Sequence, residues 1–174
     1  MATYPRIEVS VDVVALTAVE QVPHVLLVRR GRPPFEGRWA LPGGFLEVDE
    51  DLAPAAAREL HVETGIALHP DELRQVGTYG DPHRDPRRRI VSIAHLAEVA
   101  TFVHPEPGDG AVHAAWVPVA EMLGDEAEPM AFDHAEILRD GVLTSRWSHL
   151  ARETASPETA EDAWRAPESW GERG

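Results

Sequence analysis

The sequence predicts an α/β fold in which helices cover a mixed β-sheet. Three observations predict it. Strand-like stretches recur at residues 7–19, which is valine-rich and partly alternating, and at 24–30, 73–79 and 90–99. A helical segment at about 52–64 follows an internal strand, and a second amphipathic segment lies near the end, at 132–143. Alternation marks half-buried strands and a 3.6-residue period marks helices. Strands interrupted by helices build a sheet with helices packed on it.

Each element has a local reason. Residues 7–19 (IEVSVDVVALTAV) and 24–30 (HVLLVRR) read as strands joined by a turn at 20–23. Residues 31–38 (GRPPFEGR) form a loop rich in Gly and Pro. A short strand at 39–41 runs into the Pro42-Gly43-Gly44 turn. The helix at 52–64 has Asp51 as N-cap, Pro54 in its first turn, and Gly65 as its stop. Its apolar side includes Leu52, Ala56 and Leu60. Strands at 73–79 and 90–99 flank a polar, proline-containing segment at 80–89, and another strand is expected at 113–117. Pro118 introduces a short helix, and the final helix spans 132–143.

A chain of 174 residues suits one domain with ample core. We assign that domain to residues 1–150, followed at 151–174 by an acidic, mostly loose tail, in which Trp164 and Trp170 argue against pure disorder and for an expected docking on the domain or on a partner subunit. The net charge of −14 argues against a nucleic-acid surface, which needs a basic footprint. A polyanionic small substrate must therefore meet local arginines and metal rather than a global positive field. All basic side chains are arginine, which excludes lysine nucleophiles; cysteine is absent, which excludes disulfides and thiolate chemistry. No signal peptide and no membrane-length apolar stretch are evident, so a cytoplasmic protein is expected.

Residues 41–66 (LPGGFLEVDEDLAPAAARELHVETGI) carry most of the functional information. Glu59 and Glu63, four apart on the helix, stand within about 40° of one another on its face. Such a pair repels by roughly 0.2–0.5 kcal/mol on an isolated helix. A divalent cation converts that repulsion into coordination. An exposed acidic helix face is the plainer alternative. The pattern Gly44, Glu50, Arg58-Glu59-Leu60, Glu63, Gly65-Ile66 resembles the Nudix box, with one departure: Val62 stands where a further glutamate is usual.

The resemblance implies an α-β-α sandwich over about residues 5–145 and metal-dependent hydrolysis of a nucleoside diphosphate linked to another group. It implies Mg²⁺, with Mn²⁺ as substitute, held by Glu59, Glu63 and the Gly44 carbonyl. Glu50 is implied near the metal or its waters, and Arg58 as the holder of a carboxylate rotamer; Glu50 reads equally as a glutamate favoured at a helix start. Catalysis is thus expected from Glu63, Glu59, Arg58 and Glu50.

The segments 81–89 (DPHRDPRRR) and 131–138 (AFDHAEIL) resemble the Nudix branch tied to NAD metabolism, which includes ADP-ribose pyrophosphatases and ADP-ribose-sensing regulators. Arg84 and Arg87, with Arg29 and Arg38, are therefore candidate phosphate ligands, and Arg30 is a further one. A solvated turn whose arginines pair with Asp81 and Asp85 remains the alternative. The resemblance implies acids where Gly110 and His113 stand, which leaves Glu106 and Asp109 as candidates for a distal base. Phe35 and Trp39 either stack on a base or pack in the core.

The expected substrate is ADP-ribose, giving AMP and ribose 5-phosphate. A nucleoside triphosphate substrate, or a catalytically weak module that binds a nucleotide sugar, are the rivals. No added DNA-binding domain is expected. A homodimer follows from the resemblance alone.

Overall fold

The computed structural model describes residues 6–149. The tail assigned to 151–174, with Trp164 and Trp170, lies outside these described residues. Seven strands are present: β1 (Glu8–Val19), β2 (Val22–Arg30), β3 (Trp39–Ala40), β4 (Gly43–Phe45), β5 (Arg74–Tyr79), β6 (Ile90–Glu98) and β7 (Ala111–Pro118). Three helices accompany them: α1 (Leu52–Thr64), α2 (Val119–Leu123) and α3 (His134–Leu143). The sheet runs β3-β2-β1-β6-β5, with β4 added beside β1 and β7 beside β2. Only β1 and β6 are parallel; the other pairs are antiparallel, so the sheet is mixed as expected.

The two-residue period of β1 explains the layers. Val11, Val13 and Ala15 face α1, packing with Leu26, Ala55, Ala56 and Leu60. Val14 and Leu16 face the other way, against Val119, Met122, Ile137, Leu138 and Val142 of α2 and α3. Helices therefore lie on both faces of one sheet. Burying a side chain such as Leu60, fully enclosed here, stabilises by roughly 1.5–3 kcal/mol.

Helix α1 begins and ends where the residue types demand. Asp51 caps it, accepting from the Leu52 N–H at 2.7 Å. Gly65 stops it at φ 72°, its N–H returning to the His61 carbonyl. Some boundaries differ from the sequence expectation. β4 was not expected, because Gly-Gly-Phe has no strand pattern; its backbone is recruited by β1 through the pairs Ser10–Phe45, Val11–Gly44 and Asp12–Gly43. β7 starts two residues before the expected 113. α3 starts at His134 rather than at 132, because Phe132 sits at φ 53°, outside helical geometry.

A split edge of β1 positions the site. Residues 10–12 bond to β4, whereas residues 16–19 bond to β2. Between them the Val13 N–H reaches the Pro42 carbonyl at 2.8 Å. β1 and β2 therefore part in the direction of Arg30, and the opening becomes a cleft. Ser10 and Asp12 line one side of it and Val28, Arg30 and Ala40 the other.

Gly65 provides a direct check on how α1 ends. A methyl at Gly65 would meet nothing closer than the Glu106 Cβ at 3.7 Å, so Gly65→Ala tests backbone strain alone. It should destabilise by about 1–2 kcal/mol, and Gly65→Asn by less. Denaturant melts of the three proteins read this directly; equal midpoints would contradict the left-handed stop.

Candidate active site

The cleft has a volume of about 510 Å³. Its acidic wall is the exposed flank of α1. The Arg58 guanidinium organises that flank. It donates to both oxygens of Glu50, at 2.8 and 2.7 Å, to Glu59 Oε1 at 2.6 Å, and to the Phe45 carbonyl at 3.1 Å. Arg58 is thereby pinned, and it pins Glu59. Glu50 does not line the cleft; both its oxygens face Arg58, which holds its carboxyl below the usual range.

Glu59 lies hard against Gly44. A Cβ placed on Gly44 would stand 2.4 Å from Glu59 Cδ, so any other residue there displaces the carboxylate. Glu63 is deeper, and its Oε2 accepts from the Gly43 N–H at 3.1 Å. Burial pushes the Glu63 carboxyl up to about 8, the negative Glu59 and Asp12 adding to the rise and the Gly43 hydrogen bond opposing it. Val62, 43% exposed, lines the cleft beside this pair with no oxygen to offer.

The predicted arginines separate. Along β2, alternation turns Leu26, Val28 and Arg30 to one face and Leu27 and Arg29 to the other. Arg29 accordingly lies outside the cleft, paired in bidentate fashion with Glu128 and stacked 4.2 Å from the Trp39 ring centroid. Arg38 also lies outside, over the Phe35 ring. Arg84 and Arg87 do line the cleft, but each already grips a carboxylate. Arg84, its side chain 4% exposed, holds Asp133 at 2.6 and 2.7 Å; Arg87 holds Asp85 at 3.0 and 2.7 Å.

Among the described residues Arg30 has no carboxylate partner; it donates to the Pro34 and Arg32 carbonyls. Burial, then the neighbouring Arg87, lower its proton affinity, so an incoming anion would relieve it. Arg32 lines the mouth, paired with Asp109 at 2.5 Å. Gly110 lines the cleft, at φ 77°. His113 does not; its ring is 5.8 Å from that of Trp39, on the Arg29 side. Glu106 packs by Gly65 at the end of α1, away from the cleft. Trp39 is partly buried against the core, and Phe35 meets Phe132 edge-on at 4.9 Å.

Sequence reasoning missed Asp12, Ser92 and His134 as cleft or near-cleft groups; it named Asp85 as a partner for the arginines, and Asp85 does pair with Arg87 at the cleft. Asp12 carried a signal, being the one acid inside the apolar run 11–16. It is buried, accepts from the Ser92 hydroxyl, and faces Arg84 and His134.

Comparison with known proteins places this cleft in context. Residues 6–141, most of the chain, match the NUDIX domain.

The chain belongs to the Nudix family.

It is 34% identical over 131 residues to a protein of Methanocaldococcus jannaschii named ADP-ribose pyrophosphatase, covering 75% of this chain and 71% of that one. It is 31% identical over 156 residues to the ADPR responsive transcriptional repressor NtrR of Acinetobacter baylyi, covering 88% of this chain but 60% of the repressor. Among solved structures it resembles a MutT/nudix family protein from Enterococcus faecalis, with TM-score 0.73 at 25% identity over 86% of this chain and 69% of the other. It also resembles the NUDIX domain of Shewanella oneidensis NrtR complexed with ADP ribose, with TM-score 0.71 at 30% identity over 79% and 87%. Among the described residues, no helix is long and apolar enough to cross a membrane.

The Nudix cleft fits a hard divalent cation in a particular way. Among the described residues, no group of three or more acidic or histidine side chains forms a ready-made metal cage. Two carboxylates and the glycine backbone beside them do converge. That suits Mg²⁺, which is commonly held by one or two carboxylates, with waters and substrate phosphates completing its shell. Burial, with smaller contributions from the negative Glu59 and Asp12, is what raises the Glu63 carboxyl.

Two predictions follow from this geometry. A methyl at Gly43 would strike the Val11 carbonyl at 2.2 Å, whereas one at Gly44 meets a side-chain end. Gly43→Ala should therefore destabilise the fold by about 1–3 kcal/mol, as overpacking does. Gly44→Ala should leave the melting temperature nearly unchanged while weakening Mg²⁺ binding by roughly 10-fold or more. Calorimetry separates the two effects, and equal loss of stability in both variants would contradict the distinction.

The second prediction concerns pH. Glu63 rises from an ordinary 4.5 to about 8 on folding, so the folded metal-free protein binds the extra proton between those values. Its contribution to stability is complete below about 4.5 and is lost as pH climbs through about 8. Metal-free Glu63→Gln should consequently gain melting temperature relative to the parent as pH rises from 5 to 9. Mg²⁺ should stabilise the parent more at the upper end. A difference that is flat with pH would show that Glu63 is not raised.

Proposed function

We propose that this chain is a Mg²⁺-dependent pyrophosphohydrolase acting on a nucleoside diphosphate derivative, with ADP-ribose as substrate and AMP and ribose 5-phosphate as products. The observation that carries this reading is the convergence of Glu59, Glu63 and the Gly43–Gly44 backbone on a cleft that also holds Arg30, which among the described residues has no carboxylate partner. The relatives named for ADP-ribose supply the choice of substrate.

Glu59, Glu63 and the Gly44 carbonyl would hold the cation. When bound, it neutralises the diphosphate and lowers the pKa of water near phosphorus. The chain's own groups do the remainder. Arg58 keeps Glu59 in one rotamer through its 2.6 Å bond, with Glu50 fixing Arg58 in turn. Arg30 meets the charge that spreads over the phosphate oxygens as the linkage breaks. Asp109 lines the cleft and is the nearer of the two expected bases, although Arg32 holds it. Arg84 and Arg87 serve the site by shaping it, since Asp133 and Asp85 occupy their guanidinium groups.

A second reading is favoured by one observation. Val62 stands exposed on the cleft wall and supplies no ligand where a carboxylate would raise the site's charge. On that reading the module binds ADP-ribose without cleaving it. Its support includes likeness to a repressor named as ADPR responsive. A screen of ADP-ribose, other sugar nucleotides and nucleoside triphosphates with Mg²⁺, products identified by chromatography, decides between them. The enzyme reading expects AMP from ADP-ribose and a loss of at least about 100-fold in turnover in Glu63→Gln with the fold intact. Tight binding of ADP-ribose with no AMP released under any metal condition would establish the second reading instead.

A further inference from the structure

The segment 131–138 lies away from α1 in sequence, yet two of its residues reach toward the cleft. His134 is 4% exposed and is the first residue of α3. Its Nδ1 accepts the Leu41 N–H at 2.9 Å. Leu41 is itself buried and falls between β3 and β4, where its amide is outside either strand. The other face of the ring presents Nε2 to Asp12 Oδ1 at 3.4 Å.

Asp12 is fixed from several sides. The Ser92 hydroxyl donates to it, and Arg84 approaches it at 3.6 Å. Arg84 in turn clasps Asp133, the neighbour of His134, so the contacts close into a ring: Asp12, Arg84, Asp133, His134. The same Asp12 pairs with Gly43 in the sheet, and a Cβ on Gly43 would lie 2.6 Å from its Oδ1. The ring therefore abuts the stretch 41–43, whose last N–H holds Glu63.

We propose that His134 is a positioning residue: by accepting the Leu41 N–H while anchored on Asp12, it clamps the backbone at 41–43 so that the Gly43 N–H and Gly44 present Glu63 and Glu59 in register. The consequence for metal binding rests on the proposed function; the clamp itself does not. Accepting through Nδ1 requires a lone pair there, so the clamping ring is neutral with its proton on Nε2 toward Asp12. Burial of His134 favours that neutral form. The ring links the segments 81–89 and 131–138 to the acidic helix through Arg84, Asp133 and His134.

The ring's two nitrogens can be tested separately. His134→Asn retains an acceptor at the Nδ1 position, whereas His134→Gln retains a polar group near Nε2 and cannot reach Leu41. Three readouts are needed: amide exchange at Leu41 and Gly43 without metal, Mg²⁺ binding by calorimetry, and kcat against KM for ADP-ribose. In His134→Gln, exchange at both amides should accelerate at least about 10-fold, and Mg²⁺ affinity and kcat should each fall roughly 10- to 100-fold with KM little changed. His134→Asn should recover most of each loss at similar thermal stability. Equal behaviour of the two variants, or unaltered exchange at Leu41 and Gly43 in His134→Gln, overturns the clamp. Should either variant fail to fold, exchange in His134→Leu, which keeps the bulk and loses both polar contacts, gives the same decision. Absence of Mg²⁺ binding or hydrolysis in the parent would sink the proposed function instead, while the exchange comparison still decides the clamp.

Discussion

Helix α1 can lay two carboxylates against the chain at 43–44 only because no side chain stands between them. The Gly44 Cα and the Glu59 carboxylate share space that a single methyl would fill, and the Gly43 amide is close enough to bond Glu63. Much else in the molecule serves that approach. The sheet draws residues 43–45 in as a strand, the cap at Asp51 sets the phase of the helix, and Leu60, on the opposite flank, seats it on the core. Shifting the helix by one residue would turn Glu59 and Glu63 by about 100° and bury neither Leu60 nor Ala56 correctly.

Charge around the cleft is arranged in neutralised pairs. Arg58 answers Glu50 and Glu59, Arg87 answers Asp85, and Arg84 answers Asp133 with Asp12 beyond it. This is how a chain of net charge −14 keeps rigid arginines near the cleft proposed to take an anion. Their value lies in geometry: a guanidinium fork fixes two oxygens at once, and a buried fork cannot wander. Among the described residues, two groups lining the cleft lack an ion-pair partner: Glu63, whose buried carboxyl holds its proton up to about pH 8, and Arg30. A metal-bound diphosphate carries both complements in one ligand.

Local features were legible from the sequence, and long-range ones were not. The bounds of α1 were readable because Asp51 and Gly65 are strong cap residues, β1 because its stretch is valine-rich and partly alternating, and β2, β5 and β6 as strand-like segments set between turns and loops. β4 was hidden because two glycines have no strand pattern, and only the pairing with β1 makes them one. The arginines behaved likewise. Arg29 and Arg30 are adjacent in sequence, and which one faces the cleft depends on the register of β2 with its neighbours. Arg84 finds Asp133 forty-nine residues away, a pairing no spacing rule encodes. Asp12 had only the signal of an acid in an apolar strand and His134 that of a histidine inside the segment 131–138, and neither was a candidate from the sequence. Neither signal told that they face one another.

The parallel pairing of β1 with β6 joins Glu8 to Ile90 and Leu16 to Glu98, with β4, α1 and the cleft arginines Arg30, Arg84 and Arg87 strung between. Closing so long a loop costs chain entropy before any strand contact repays it, and contacts of wide sequence separation slow folding. The hairpin of β1 and β2 needs only the reversal at Glu20 and Gln21 and can form from its own neighbourhood. The half of β1 that carries Asp12 has no such nearby partner. Chain entropy thus favours the hairpin over the pocket, because the local pairing costs less to close than the long-range contacts that make room for a ligand.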